Sequence, residues 1–477
     1  MEAVANGRQF RPVIQMTENS ILTTDLHATI CQAIARAGGW LGFDEFMALA
    51  LYAPGLGYYA NDSRKFGLMP AGLNGMKEGG SDFVTAPELS PRFGQTLARQ
   101  VAQALQATGT AEVWEFGAGS GALALQMLEA LGSLCERYTI VDLSGSLQAR
   151  QRGLLAAHAG KVHWASALPA QMRGVVVGNE VLDAMPVKLL SRLGGVWHER
   201  GVSIAPTLPT ACGSLPPEGA GLAWGGPARD VAPTRVASRT ALPPEGVLRL
   251  RPGKAGSAAL AGEDNAPTFP AAFGSLPPEV PARRPMVASG AQFVYSDKRS
   301  DLRPPFEVTG THDYVTEIHQ QAEGFIGTLA DRLQAGAIFL IDYGFPEHEY
   351  YHPQRSMGPL MCPRGHQADG DALADVGSTD ITAHVNFTGI AIAGQSAGLE
   401  PIGYTSQGRF LLNCGLLEGM SDDNRGAGLA RRAMVQKLVN EHEMGELFKV
   451  IAFAAKTPSG SGWKPLGFAA GDRSHTL

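Results

Sequence analysis

The chain has 477 residues, 44% of them hydrophobic and 18% charged, with a net charge of −6, which allows a sizeable globular core in one large domain or two ordinary ones. The mild acidic balance gives no electrostatic reason to expect nucleic acid as a ligand, and no apolar run approaches the roughly 18 residues of a membrane span. The five cysteines, Cys31, Cys135, Cys212, Cys362 and Cys414, lie far apart and spell neither a disulfide framework nor a zinc site.

Residues 1–22 read as a loose tail. They open on Met1-Glu2-Ala3-Val4-Ala5, with an early acid and no apolar segment, so a cytoplasmic protein is expected. Residues 23–110 read as an N-terminal helical region that includes a cofactor lid. Leu26, Ile30, Ala33, Ile34 and Ala37 recur at helical spacing until Gly38-Gly39, and a second helix, Phe43–Tyr52, stops at Pro54-Gly55. Met69–Gly80 is glycine-rich and reads as a loop.

Residues 111–202 carry an α/β core. Glu112–Phe116 is a short apolar strand, Gly121–Leu131 a helix, Tyr138–Asp142 a strand, Leu147–Ala157 a helix and Gly174–Gly178 a strand. This alternation indicates a parallel Rossmann-like sheet with helices on both faces. The segment 203–290 holds 15 of the 31 prolines and repeats Ser-Leu-Pro-Pro-Glu at 214–218 and 275–279. Its composition predicts a disordered insertion that buries too little to offset its ordering entropy. Residues 291–456 are expected to complete the fold, with a long helix over Asp313–Leu333 and a buried strand over Ala337–Asp342. A strand-turn-helix region over Asp380–Ala397, a helix over Arg425–Glu441 and a closing strand over Phe448–Lys456 follow. Residues 457–477 read as a second tail.

The main chemical signal is the turn Glu115-Phe116-Gly117-Ala118-Gly119-Ser120-Gly121. Glycines at 117, 119 and 121 let the backbone turn tightly beside a ligand, with a helix N-terminus aimed at it. The same residues fit a dinucleotide pattern ending at Ala122, but Glu115 would then face a pyrophosphate. It suits instead the ammonium of S-adenosylmethionine. Asp142 lies about 25 residues after the first glycine, where an acid accepts from ribose hydroxyls; an alternative is that Asp142 or Ser144 caps the next helix. Asn179-Glu180-Val181-Leu182-Asp183 follows a strand end, so Asn179 is expected beside the cofactor methyl group and Glu180 and Asp183 at the reaction centre. Those two acids suit a bidentate grip on a guanidinium or ammonium, or the capping of the following turn. His348-Glu349-Tyr350-Tyr351-His352 spells a zinc-protease pattern. Pro346 and Pro353 leave little room for the helix that pattern needs, and no metal is expected.

With Gly80-Ser81-Asp82-Phe83-Val84-Thr85-Ala86-Pro87-Glu88-Leu89-Ser90, Tyr58-Tyr59, Thr316-Glu317-Ile318, Ile341-Asp342-Tyr343-Gly344 and Asp380–Phe387 added, the chain resembles the MidA-type methyltransferases. These are bacterial relatives of a mitochondrial complex I assembly factor that methylates an arginine. The likeness covers roughly residues 40–200 and 290–456. It implies a class I methyltransferase fold, with Asp82, Thr85, Pro87 and Glu88 beside the S-adenosylmethionine, and a protein arginine as acceptor, possibly dimethylated symmetrically. Residues 68–79 and 203–290 are extra, Ser81 is interposed before Asp82, and Asn386 stands where the family often has Asp. A cofactor-binding assembly chaperone with little turnover and a small-molecule methyltransferase are the alternatives. Oligomeric state leaves no trace in the sequence.

Overall fold

The unbroken apolar runs Gly174–Val177 and Ala337–Ile341 have no polar face to show to water, so each needs cover on both sides. In the computed structural model they lie side by side in one sheet. The structure describes residues 18–61, 85–142, 144–206, 291–358, 360–364, 367–420, 427–455 and 463–477. The strands of that sheet, numbered in chain order, are β1 Glu112–Phe116, β2 Arg137–Val141, β3 Val162–Ala165, β4 Met172–Asn179, β5 Leu333–Phe345, β6 Glu400–Ser406 and β7 Phe448–Ala454. Their spatial order is β3-β2-β1-β4-β5-β7-β6. The pairs from β3 to β5 are parallel, and β7 runs antiparallel to both of its neighbours. The short strand Val385–Asn386 extends the end of β5.

Alternation along the strands separates two cores. Val113, Val175, Val177, Phe339 and Ile341 point to one face, where the helices Arg92–Thr108 and Ala122–Leu131 cover them. Trp114, Phe116, Val176, Ile338 and Leu340 point to the other, under the helices Gln320–Arg332 and Phe387–Ser396. Phe93, Leu97, Val101 and Leu105, spaced by four, form the buried stripe of Arg92–Thr108. This is the α/β sheet with helices on both faces that the sequence predicts.

A second, antiparallel sheet is built between β4 and β5. Val196–Ile204 pairs with Lys188–Leu193 and with Phe293–Arg299, and Lys188–Leu193 also pairs with Tyr314–Ile318. The helices Glu18–Arg36 and Phe43–Tyr52 share its core through Ile30, Phe43, Phe46, Leu189, Val202 and Phe293.

Several expectations are corrected here. Asp313–Leu333 is not one helix: Tyr314–Ile318 is a strand, and the helix starts at Gln320. Tyr314, Val315, Thr316 and Ile318 are aromatic or β-branched and find an open strand edge at Lys188–Leu193, which overrides the helical spacing. The α/β core does not run to 202, because residues 188–202 belong to the second sheet. The first helix already begins at Glu18, inside the expected tail. The expected C-terminal tail is packed over 463–477: Phe468 is buried against Phe410, and Arg473 pairs with Glu446. Met69–Gly80 and nearly all of the 203–290 insertion lie outside the described residues. Among the described residues, no helix is long and apolar enough to cross a membrane.

The two flanks of the insertion meet. Ile204 pairs with Phe293, and the Ala205 N–H donates to the Gln292 carbonyl at 2.8 Å. Replacing 207–290 by a short Asn-Gly turn would therefore close a hairpin that is already formed. It is expected to lower the melting temperature by no more than about 3 °C. A larger fall in a thermal melt would show that the segment supplies stabilising contacts.

Candidate active site

The chain leaves β1 toward β2 and β3 on one side, and takes up β4 and β5 on the other. The carboxyl ends of β1 and β4 therefore border a crevice, the usual ligand position in such sheets. A cavity of about 1170 Å³ opens there, larger than the roughly 300–1,000 Å³ of a typical small-molecule site.

One half of the cavity is lined by the glycine turn, with Glu115, Gly117 and Gly119, and by Asp142. Gly117, Gly119 and Gly121 have φ of 62°, 52° and 88°, a region that side chains with a Cβ disfavour. A Cβ on Gly117 would also sit 3.1 Å from Val181. Glu115 is 2% exposed, and the Tyr138 hydroxyl donates to it at 2.6 Å. Burial pushes its carboxyl up to about 7, helped by nearby Asp142 and opposed by Tyr138. Asp142 directly follows β2 and opens the turn to the next helix. Its Oδ1 accepts from the Ser144 N–H at 2.9 Å, and Ser144 rather than Asp142 caps the helix Gly145–Leu154.

Gln151, fully buried on that helix, ties these parts together. Its Nε2 donates to the Gly119 carbonyl at 3.0 Å and to Asp142 Oδ2 at 2.8 Å, while its Oε1 accepts from Trp164 at 2.9 Å. Gln126 does the same for the segment Thr85-Ala86-Pro87-Glu88: its amide donates to the Pro87 carbonyl at 2.8 Å. Ser120 donates a short hydrogen bond to Glu88 across the same gap. Thr85, Pro87 and Glu88 line the cavity; Asp82 lies outside the described residues.

The other half holds Asn179, Glu180 and Asp183, with Tyr52, Tyr59, Tyr343, Asp380 and His384. Asn179 Nδ2 donates to Glu180 Oε1 at 2.8 Å. Asn179 Oδ1 and Asp183 Oδ1 are buried and have no hydrogen-bond partner. Glu180 takes the left-handed backbone conformation, φ 55°, a strain that concentrates at functional sites. Burial pushes Glu180 up to about 8, reinforced by Asp183 and Asp380 and opposed by donors from Asn179 and the Ala86 N–H. Burial also raises Asp183, although the Tyr343 hydroxyl and the Ala184 N–H donate to it. Tyr59 donates to Asp380 at 2.7 Å, and Tyr52 to the Ala184 carbonyl at 2.8 Å. None of the described residues lining the cavity is a lysine or arginine.

Gln126, Gln151, Asp342 and the tyrosines carry no role that the sequence alone assigns. Tyr59, Asp342, Tyr343 and Asp380 stood in the quoted motifs, whereas a glutamine inside a helix gives no signal. Glu347–Tyr350 makes a single helical turn between Pro346 and Pro353, and His352 lies beyond it, so His348 and His352 do not share a helix.

The geometry fits S-adenosylmethionine: glycines without Cβ atoms form the cradle, and a buried acid without a cation stands at its edge. A family described as S-adenosyl-L-methionine-dependent methyltransferases matches residues 96–405. A Burkholderia thailandensis protein crystallised with S-adenosyl-homocysteine is 40% identical, covering 97% of this chain and 99% of that one, with a TM-score of 0.74. The native crystal form of a protein from the same superfamily and organism is 39% identical with a TM-score of 0.71. Two curated relatives are more distant. The mitochondrial protein arginine methyltransferase NDUFAF7 of Danio rerio is 24% identical over 44% of this chain and 55% of its own length. Its Caenorhabditis elegans homolog is 26% identical over 35% of this chain and 44% of its own length. The chain thus spans about half the length of these curated relatives. Its fold is that of a class I methyltransferase, and the chain belongs to the family of S-adenosylmethionine-dependent methyltransferases.

Proposed function

We propose that this methyltransferase transfers the methyl group to an arginine side chain of a protein. The observation that carries the reading is the pair of buried oxygens, Asn179 Oδ1 and Asp183 Oδ1, without partners beside Glu180. Buried acceptors without donors cost free energy until a ligand supplies N–H groups. A guanidinium brings five such groups and a permanent positive charge into a cavity that its own lining leaves acidic. The curated relatives named as arginine methyltransferases support the same acceptor.

In this reading Glu115 receives the cofactor's ammonium, Gly117, Gly119 and Gly121 give its backbone-close path, and Asp142 accepts from the ribose hydroxyls. Asn179, Thr85, Pro87 and Glu88 flank it. S-adenosylmethionine, when bound, supplies a methyl group on a positively charged sulfur. Glu180 and Asp183 hold the guanidinium in line with that methyl group, so most of the rate comes from positioning. As the N–C bond forms and the S–C bond breaks, the nitrogen must lose a proton. The elevated proton affinity of Glu180 and Asp183 suits them to receive it.

The raised Glu115 carboxyl gives the cofactor half a signed pH dependence. In the cation-free site it is protonated below about 7, and it must lose that proton to hold an ammonium. Affinity for S-adenosylmethionine is therefore expected to fall as pH drops from 8 to 6, approaching roughly tenfold per unit below pH 7. Glu115→Gln should weaken binding and flatten the profile, and Gly119→Val should abolish binding in a folded protein. Calorimetric titrations at several pH values test this; a flat wild-type profile would contradict the role of Glu115.

The acceptor half predicts a separable defect. Glu180→Gln keeps the volume but removes a charge-assisted bond of about 1.5–3 kcal/mol, so turnover should fall roughly 10- to 150-fold. Cofactor affinity should hardly change, and Asp183→Asn should be milder. A wild-type methylation rate for Glu180→Gln on the acceptor protein would remove it from the acceptor grip. Loss of cofactor binding instead would place it in the cofactor site.

A further inference from the structure

Glu180 holds its left-handed conformation at the exact point where β4 ends and the acceptor side of the cavity begins. Something must hold the chain there, since an unrestrained glutamate leaves that region. The next strand supplies it. The Glu180 N–H donates to the Ile341 carbonyl at 2.9 Å. The following three N–H groups, of Val181, Leu182 and Asp183, converge on one atom, Asp342 Oδ2, at 3.1, 2.9 and 3.3 Å. Asp342 Oδ1 accepts from the Tyr343 N–H at 2.9 Å, and the Tyr343 hydroxyl donates to the Asp183 side chain. Ile341, Asp342 and Tyr343 on β5 thus grip the whole turn. Asp342 is 1% exposed and does not line the cavity, so it meets neither cofactor nor acceptor directly.

We propose that Asp342 is the positioning residue of the acceptor site: by gathering the three N–H groups of Val181–Asp183 on one carboxylate oxygen, it aims Glu180 and Asp183 into the cavity. A carboxylate oxygen accepting several N–H groups in a concave turn is the strong form of that contact. The cofactor half has its own fastening, through Gln151 and Gln126, and does not depend on it. The inference rests on the reading that Glu180 and Asp183 hold the acceptor.

The test measures cofactor affinity, steady-state methylation and hydrogen exchange for Asp342→Ala and Asp342→Asn in the full chain. Asp342→Ala should bind S-adenosylmethionine within about threefold of wild type, yet lose tenfold or more in kcat/KM for the acceptor. Exchange should quicken at residues 181–183 while β1 stays protected. Asp342→Asn keeps a carbonyl oxygen for the three donors and should recover most of the loss. Combining Asp342→Ala with Glu180→Gln should cost less than the product of the single losses, because both act through one carboxylate. Wild-type kcat/KM in Asp342→Ala, equal loss of cofactor and acceptor function, or full additivity would overturn the proposal. If Asp342→Ala does not fold, Asp342→Asn decides it: acceptor kcat/KM as poor as that of Glu180→Gln, with or without quickened exchange at 181–183, would overturn it, and near-wild-type kcat/KM with 181–183 still protected would support it. Should Glu180→Gln alone behave as wild type, the acceptor reading itself fails, which is a different result from a silent Asp342→Ala.

Discussion

Uncompensated negative charge is the constraint on which the site depends. Asp183 and Asp380 lie close enough to raise the proton affinity of Glu180, and Asp183 and Glu180 that of Asp342, and no described residue lining the cavity is a lysine or arginine. A protein interior tolerates such acids only if they are protonated, richly hydrogen-bonded or met by a cation from outside. Asp342 takes the second course, with four N–H donors. Asp380 does so too, with Tyr59 and the Ile381 N–H. Asp183 Oδ1 and the neighbouring Asn179 Oδ1 are left without donors beside Glu180, which is what the proposed cationic acceptor would supply. On the other side of the cavity Glu115 is in the same position, buried with one tyrosine donor. One cavity thus presents two acidic ends, which the proposed reading assigns to the ammonium of S-adenosylmethionine and to a cationic acceptor.

The fold carries this arrangement through strand order. Because β1 and β4 are adjacent while their connections diverge, a turn rich in glycine and a turn rich in acid face each other across one crevice. The second sheet and the first two helices share a core, and Tyr52, the last residue of the second helix, and Tyr59, just beyond it, reach the acid cluster through Ala184 and Asp380. The N-terminal region is therefore part of the site rather than an appendage to it.

Much of this was legible in the sequence where the signal is local. The glycine turn declares itself because positive φ demands glycine at 117, 119 and 121, between a strand and a helix. The apolar runs of β4 and β5 declare burial on both faces. What was not legible depends on chain segments far apart in sequence. Asp342 reaches the Leu182 N–H across 160 residues, and Tyr59 meets Asp380 across 321. Tyr314–Ile318 could be recognised as a strand only with its edge partner Lys188–Leu193 in place. Gln151 sits on a helix whose spacing says nothing of the carbonyl and carboxylate it joins. The packing of 463–477 likewise depends on Phe410 and Glu446, which no reading of a polar terminal stretch reveals.

The central claim, that the acid end of the cavity receives an arginine, is tested most directly by finding where the methyl group goes. The full chain would be incubated with tritiated S-adenosylmethionine and desalted cell lysate, and the protein and small-molecule fractions separated. The labelled protein would then be hydrolysed to amino acids and resolved against methylarginine and methyllysine standards. The account predicts label in the protein fraction that co-migrates with methylated arginine. Label confined to small molecules, label on lysine, or no transfer by a chain that binds the cofactor would contradict it.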